Sequence, residues 1–122
     1  MKYAFVFGDF RFDCFSTGTR TGFKHVCNMY HNNAYVHDTR IHYYNSTSEQ
    51  YAFQSVMLRC VRELMEFLEK VKLRQMKEEN GWGKMTTGRW SDLKDELSAD
   101  SNYMYLCQLA TRIDKQDYDE RI

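Results

Sequence analysis

Hydrophobic and polar positions change period along the chain, alternating at first and then recurring every three to four residues. Tyr3–Phe15 is dense in aromatic and branched residues, with Phe5 and Phe7 on one parity and Phe10 and Phe12 on the other. A change of parity flips the buried face of a strand, and Gly8-Asp9 between the two sets is a natural place for a bulge or bend. Ser16–Gly22 is small and polar and reads as a connecting loop. Phe23–His31 predicts a second strand. Asn32-Asn33 predicts a tight turn, because Asn tolerates positive φ, and Ala34–Tyr44 predicts a third strand. The first third is therefore expected to be a three-stranded antiparallel meander.

From Ser46 the period becomes helical. Ser46 and Glu49 have the spacing of a capping box. Phe53, Met57, Cys60, Leu64, Phe67 and Val71 then follow at spacings of 4, 3, 4, 3 and 4, with Leu58, Val61, Met65 and Leu68 beside them. The apolar arc spans roughly 200°, opposite Arg59, Arg62, Glu66, Glu69 and Lys70. One sheet face needs about half of that arc, so the rest calls for another helix or another copy of the chain, and a homodimer or larger assembly is expected. Asn80-Gly81 supplies the stop. Beyond a loop over 81–90, Ser91 is expected to cap a short helix and Asp100 or Ser101 a final one, whose apolar face is Tyr103, Leu106, Ala110 and Ile113. The charged tail Asp114–Ile122 is expected to fray. The whole predicts one α+β domain over 1–122: sheet 1–45, long helix 46–80, loop 81–90 and helical segment 91–118.

Composition narrows the function classes. Lys plus Arg and Asp plus Glu number 17 each, so the formal charge of the 122-residue chain is zero. That excludes a strongly cationic nucleic-acid coat and a strongly acidic DNA mimic. No run approaches the ~18 apolar residues of a membrane span, and Met1–Gly8 lacks a signal-peptide layout, so a cytoplasmic protein with no membrane partner is expected. Cys14, Cys27, Cys60 and Cys107 form no Cys-x-x-Cys pair and are expected to be reduced thiols, Cys60 and Cys107 as small hydrophobes on helix faces.

All four histidines lie in the β third. With Asn32-Asn33 as a two-residue turn in an unbroken ladder, His25 faces Arg40, Cys27 faces Asp38 and Phe23 faces His42. Alternation then gathers His25, Cys27, Asp38, Arg40 and His42 on one face. Two imidazoles beside an arginine are the minimal kit of a metal-independent phosphodiesterase or nucleotide site; the plain alternative is an exposed polar face. His25-x-Cys27 with His42 could in principle hold zinc, but ligands from tight paired loops are missing, and no metal or cofactor is expected. His37-Asp38-Thr39 is half of a two-histidine phosphoesterase signature whose second half is absent. Stacking of single-stranded nucleic acid on Phe23, Tyr30 or Tyr35 is a further reading, disfavoured by five cations against three anions over residues 1–46.

Gly81–Gly88 is not a phosphate loop: Glu78 stands where its first glycine would be, and a helix precedes it. Trp82, Lys84, Met85, Arg89 and Trp90 instead concentrate both tryptophans with cationic neighbours, the residue types that protein interfaces enrich. The rival role for the two tryptophans is to plug the core. In size and aromatic-rich composition the chain resembles the accessory proteins of bacterial viruses. The resemblance implies a non-enzymatic inhibitor that binds and blocks a host protein, an anti-defence role such as that of anti-CRISPR proteins.

Overall fold

The computed structural model describes residues 2–43, 49–115 and 119–121. It is an α+β molecule in two layers. Strands β1 (Lys2–Phe7), β2 (Phe10–Thr19), β3 (Gly22–His31) and β4 (Ala34–Tyr43) form an antiparallel meander, and a three-residue β5 (Asp119–Arg121) joins β1 on its other side. Helices α1 (Glu49–Asn80), α2 (Thr87–Ala99) and α3 (Ser101–Asp114) make the second layer.

The meander has four strands where three were expected. Gly8-Asp9 is not a bend within one strand but a two-residue reversal, with Gly8 at φ +56° and Phe7 opposite Phe10. Reversal puts odd positions of β1 and even positions of β2 on one face, so Phe5, Phe7, Phe10 and Phe12 are all buried together. The parity switch is the mark of a hairpin. Ser16–Gly22 is likewise strand rather than loop: β2 runs to Thr19, opposite Gly22, leaving only Arg20-Thr21 to turn. Asn32 and Asn33 do form the expected tight turn, with φ of 51° and 66°. Its amide Asn32 N donates to Asp9 O at 2.9 Å, and Arg11 donates to Asn33 Oδ1 at 3.1 Å, so the two hairpin ends are tied together.

The inner face of the sheet is covered by α1, which lies over β3 and β4, and by α3, whose Arg112 sits over the Phe7 ring on the β1–β2 side. Phe12, Cys14, Cys27 and Met29 meet Phe53, Val56, Met57, Cys60 and Val61 of α1, all essentially inaccessible to solvent. The expected α3 face is present: Leu106 and Ile113 are buried with Leu109, and Asp100 caps the helix by accepting from Tyr103 N at 3.0 Å. Helix α2 begins earlier than expected. Thr86, not Ser91, is its cap, accepting from Arg89 N at 3.2 Å, so Arg89 and Trp90 belong to the helix. Ser46 of the expected capping box, and Tyr44, lie outside the described residues. The tail is not wholly frayed, because Asp119–Arg121 pairs with Ala4–Val6.

Since Phe12 is fully buried at the sheet–helix junction and Phe67 is 62% exposed, the two should respond oppositely to truncation. Phe12→Ala is expected to lower unfolding free energy by ~3–5 kcal/mol, and Phe67→Ala by no more than ~0.5 kcal/mol, as measured by urea titration.

Candidate functional site

The structure divides the residues singled out from the sequence into three places. The first is the C-terminal half of α1 with α2 and α3. Gly81, at φ +63°, ends α1 in a left-handed cap, and Trp82 N donates back to Lys77 O at 3.0 Å. That closure folds the Trp82 ring onto a small core of Met76, Leu93 and Leu97. The Arg89 guanidinium lies 5.7 Å from the centre of the Trp82 ring and donates to Lys84 O at 2.6 Å, stapling the connection down. Lys84 is exposed and Met85 half-buried. Trp90, one turn into α2, is 51% exposed. The two tryptophans therefore take opposite positions, Trp82 against the core and Trp90 toward solvent.

Trp90 stands at the lip of a groove of about 730 Å³ between the three helices. Leu73 of α1, Leu93 and Leu97 of α2, and Met104 and Cys107 of α3 make its apolar lining, and Lys70 and Lys94 reach its rim. Tyr103 crosses one wall and donates its hydroxyl to Glu69 Oε1 at 2.6 Å. Burial, and then that bond, push the Tyr103 hydroxyl well above its ordinary pKa, so it stays a donor. Burial, with the Glu69 charge, raises the Cys107 thiol as well. Of this lining the sequence marked Tyr103 and Cys107 as apolar helix-face positions; the Leu93–Leu97 pair, four apart behind a cap residue, was the signal left unread.

The second place is the β3–β4 hairpin. The ladder is not unbroken: an irregularity at Met29/Tyr30 shifts the register by one, so Cys27 faces Thr39 rather than Asp38 and His25 faces Ile41 rather than Arg40. His25, which alternates with Cys27 and Met29 along β3, is 1% exposed on the inner face, 2.7 Å from Ser16 Oγ through Nδ1. Asp38, Arg40 and His42 are exposed on the outer face, where His42 Nε2 lies 3.0 Å from Thr19 Oγ1 and Asp38 accepts from the Tyr35 hydroxyl. The expected cluster of His25 with Asp38, Arg40 and His42 is thus split across the sheet. The aromatic set is split too: Tyr30 and Tyr35 meet edge-on at 6.1 Å on the outer face, whereas Phe23 stacks near His25 on the other. Among the described residues no group of His, Cys, Asp and Glu has the arrangement of a metal site. Cys14 and Cys27 are direct cross-strand partners and Cys60 joins them from α1. All three are buried free thiols, and burial followed by contact with the other two raises the Cys27 thiol.

The same register shift creates a third place that the sequence did not announce. His37 and Thr39 turn inward and converge on Glu63 of α1. Glu63 Oε2 accepts from His37 Nε2 at 2.8 Å and Oε1 from Thr39 Oγ1 at 3.0 Å, with Arg59 Nε 3.5 Å away. Burial pushes the Glu63 carboxyl up, but the bonds from His37 and Thr39, the His37 charge and Arg59 together outweigh it and hold it below its ordinary value. A carboxyl that titrates lower folded than unfolded stabilises the fold above the unfolded pKa and loses that contribution as pH falls through the folded one. Glu63→Gln is therefore expected to melt below wild type near neutral pH, with the gap closing in thermal melts as pH falls through and below the ordinary carboxyl range. No protein-family model matches the chain, and neither a curated protein nor a solved structure does.

Proposed function

We propose that the protein acts by binding rather than catalysis, occupying a host protein and blocking it, with the Trp90 groove as its reception site. The observation that carries this reading is the half-exposed Trp90 ring on the lip of an apolar groove that Met104, itself 37% exposed, also lines. A tryptophan and a methionine flanking a concave apolar surface are what interface centres use. The chemistry of the groove defines its occupant. The lining of Leu73, Leu93, Leu97 and Met104 suits a large aliphatic or aromatic anchor, and Lys70 and Lys94 at the rim suit carboxylates beside it. An amphipathic helix carrying an apolar anchor between acidic residues meets both conditions. The likeness in size and composition to accessory proteins of bacterial viruses favours a host protein as the bearer of that helix. Of the interface residues expected from the sequence, Trp90 is the proposed anchor, while Trp82, Arg89, Lys84 and Met85 shape the connection behind it.

Panning a phage-displayed library of helical peptides against the full chain tests the reading. Selected peptides are expected to carry Leu, Phe or Met anchors flanked by Asp or Glu. Trp90→Ala should weaken a selected peptide by roughly thirtyfold, about 2 kcal/mol, with little change in melting temperature. Trp82→Ala should instead cost ~2 kcal/mol or more of folding stability. Selection of peptides that lack such anchors, or binding indifferent to Trp90→Ala, would overturn the proposal.

A further inference from the structure

The two edges of the sheet are unlike. One ends in β5, three residues long and too short to template another strand. The other is β4, ten residues long, with β3 as its one neighbour among the described residues. Proteins usually blunt such an edge with Lys, Pro or a bulge. The segment Ala34–Tyr43 contains neither Lys nor Pro, and its register shift lies near the turn, leaving His37–Tyr43 regular. We infer that this edge pairs with the same edge of a second copy, antiparallel about a two-fold axis at Thr39, joining two sheets into one.

Register and charge together select that axis. His37, Thr39 and Ile41 face inward and Asp38, Arg40 and His42 outward, so a joined sheet must pair odd positions with odd ones. A register centred on Asp38 sets carboxylate against carboxylate, and one centred on Arg40 sets guanidinium against guanidinium. Centring on Thr39 places Asp38 opposite the partner's Arg40 and Arg40 opposite the partner's Asp38. Each of these two outward charges then meets an opposite one, the self-complementarity that a two-fold interface requires.

Helix α1 satisfies the same axis independently. Thr39 donates to Glu63, which places Glu63 beside the axis on the inner face. Arg59 and Arg62 lie on the N-terminal side of that point and Glu66 on the C-terminal side, all exposed on the flank of α1 turned from the core. A two-fold there brings Arg59 and Arg62 toward the partner's Glu66, and the reverse. Strands in a continuous sheet are about 4.8 Å apart, and α1 lies over β3 and β4. The two α1 axes therefore come to about 10 Å from each other, the ordinary distance of packed helices. The α1 residues of the Trp90 groove, Glu69, Lys70 and Leu73, follow Glu66 along the helix, and the edge pairing rests on β4 and on Arg59, Arg62 and Glu66 without them, so this inference stands apart from the proposed function.

Sedimentation of the full chain from about 1 to about 100 µM is expected to show a monomer–dimer equilibrium. Asp38→Arg and Arg40→Asp should each weaken dimerisation at least tenfold, by setting like charges across the axis. Both side chains are exposed, and unchanged thermal melts would confirm that each variant stays folded. An equimolar mixture of the two variants should dimerise again. One copy then sets a cation at both positions 38 and 40 against an anion at both positions of the other, so each cross-axis contact becomes attractive. A wild type that stays monomeric throughout overturns the inference. So does a dimer that ignores both substitutions, or a mixture that fails to reassociate.

Discussion

Burial of the α1 stripe against the inner face of the sheet is the contact from which the rest of the molecule follows. Phe53, Met57 and Cys60 enter among Phe12, Cys27 and Met29, and each large side chain so buried contributes about 1.5–3 kcal/mol. One helix covers the β3–β4 half of that face and through Phe53 reaches Tyr3 and Phe5 of β1, so the Phe7–Phe10 end of the aromatic half needs a second cover. Helix α3 supplies it through Leu106, Leu109 and Ile113, with Tyr105 against Phe10 at 5.3 Å between ring centres. Length then decides what is left over. A helix of 32 residues reaches ~48 Å, whereas a ten-residue strand reaches ~33 Å. The overhang carries the apolar stripe past the end of the sheet. Phe67 and Val71 emerge there into solvent, and Leu73 and Met76 continue into the contact with α2. The groove beside Trp90 is the product of that overhang.

A single irregularity in β4 governs the polar side of the same junction. Had the ladder run unbroken from the Asn32-Asn33 turn, Asp38 and Arg40 would have pointed at the helix, two charges toward an apolar core. The shift at Met29/Tyr30 turns them to water and brings His37 and Thr39 inward instead. Their polar atoms cannot be buried unpaired without cost, and Glu63 resolves this by accepting from both. The hydrogen bonds also fix where along β4 the helix sits, which non-directional apolar contact alone does not.

Much of this was legible in the sequence, and the illegible parts share a cause. The α1 stripe, the Asn32-Asn33 turn, the Gly81 stop and the Asp100 cap were all readable, because each depends on residues within one turn of one another. The first hairpin was not, because Gly8-Asp9 followed by a parity switch suits a bend and a reversal equally until the strands are seen to pair. Ser91 and Thr86 are both acceptable caps. The choice falls to Thr86 because it begins the helix early enough for Arg89 to reach Lys84 O and cover Trp82. The split of His25 from Asp38, Arg40 and His42 turned on one inserted residue, and no local pattern marks a bulge in a strand of alternating polar side chains. Glu63 drew no reading from the sequence, since its partners are more than twenty residues away.

A formal charge of zero says little about how such a surface recognises anything; the order of the charges says more. Along α1 two arginines precede Glu63 and Glu66, and along β4 Asp38 precedes Arg40 by two positions. Each element therefore carries a charge gradient that is neutral in sum and complementary to its own reversal. In the groove, by contrast, Lys70 and Lys94 flank an apolar lining, and the carboxylate there, Glu69, is engaged by the Tyr103 hydroxyl. A surface of alternating sign discriminates by register, because one step of slip converts attraction into repulsion. An apolar hollow with two cations at its rim discriminates by shape and by the charge of whatever enters it. The two proposed contacts would thus rest on two kinds of selectivity, register for a copy of the chain and shape with opposite charge for a foreign segment.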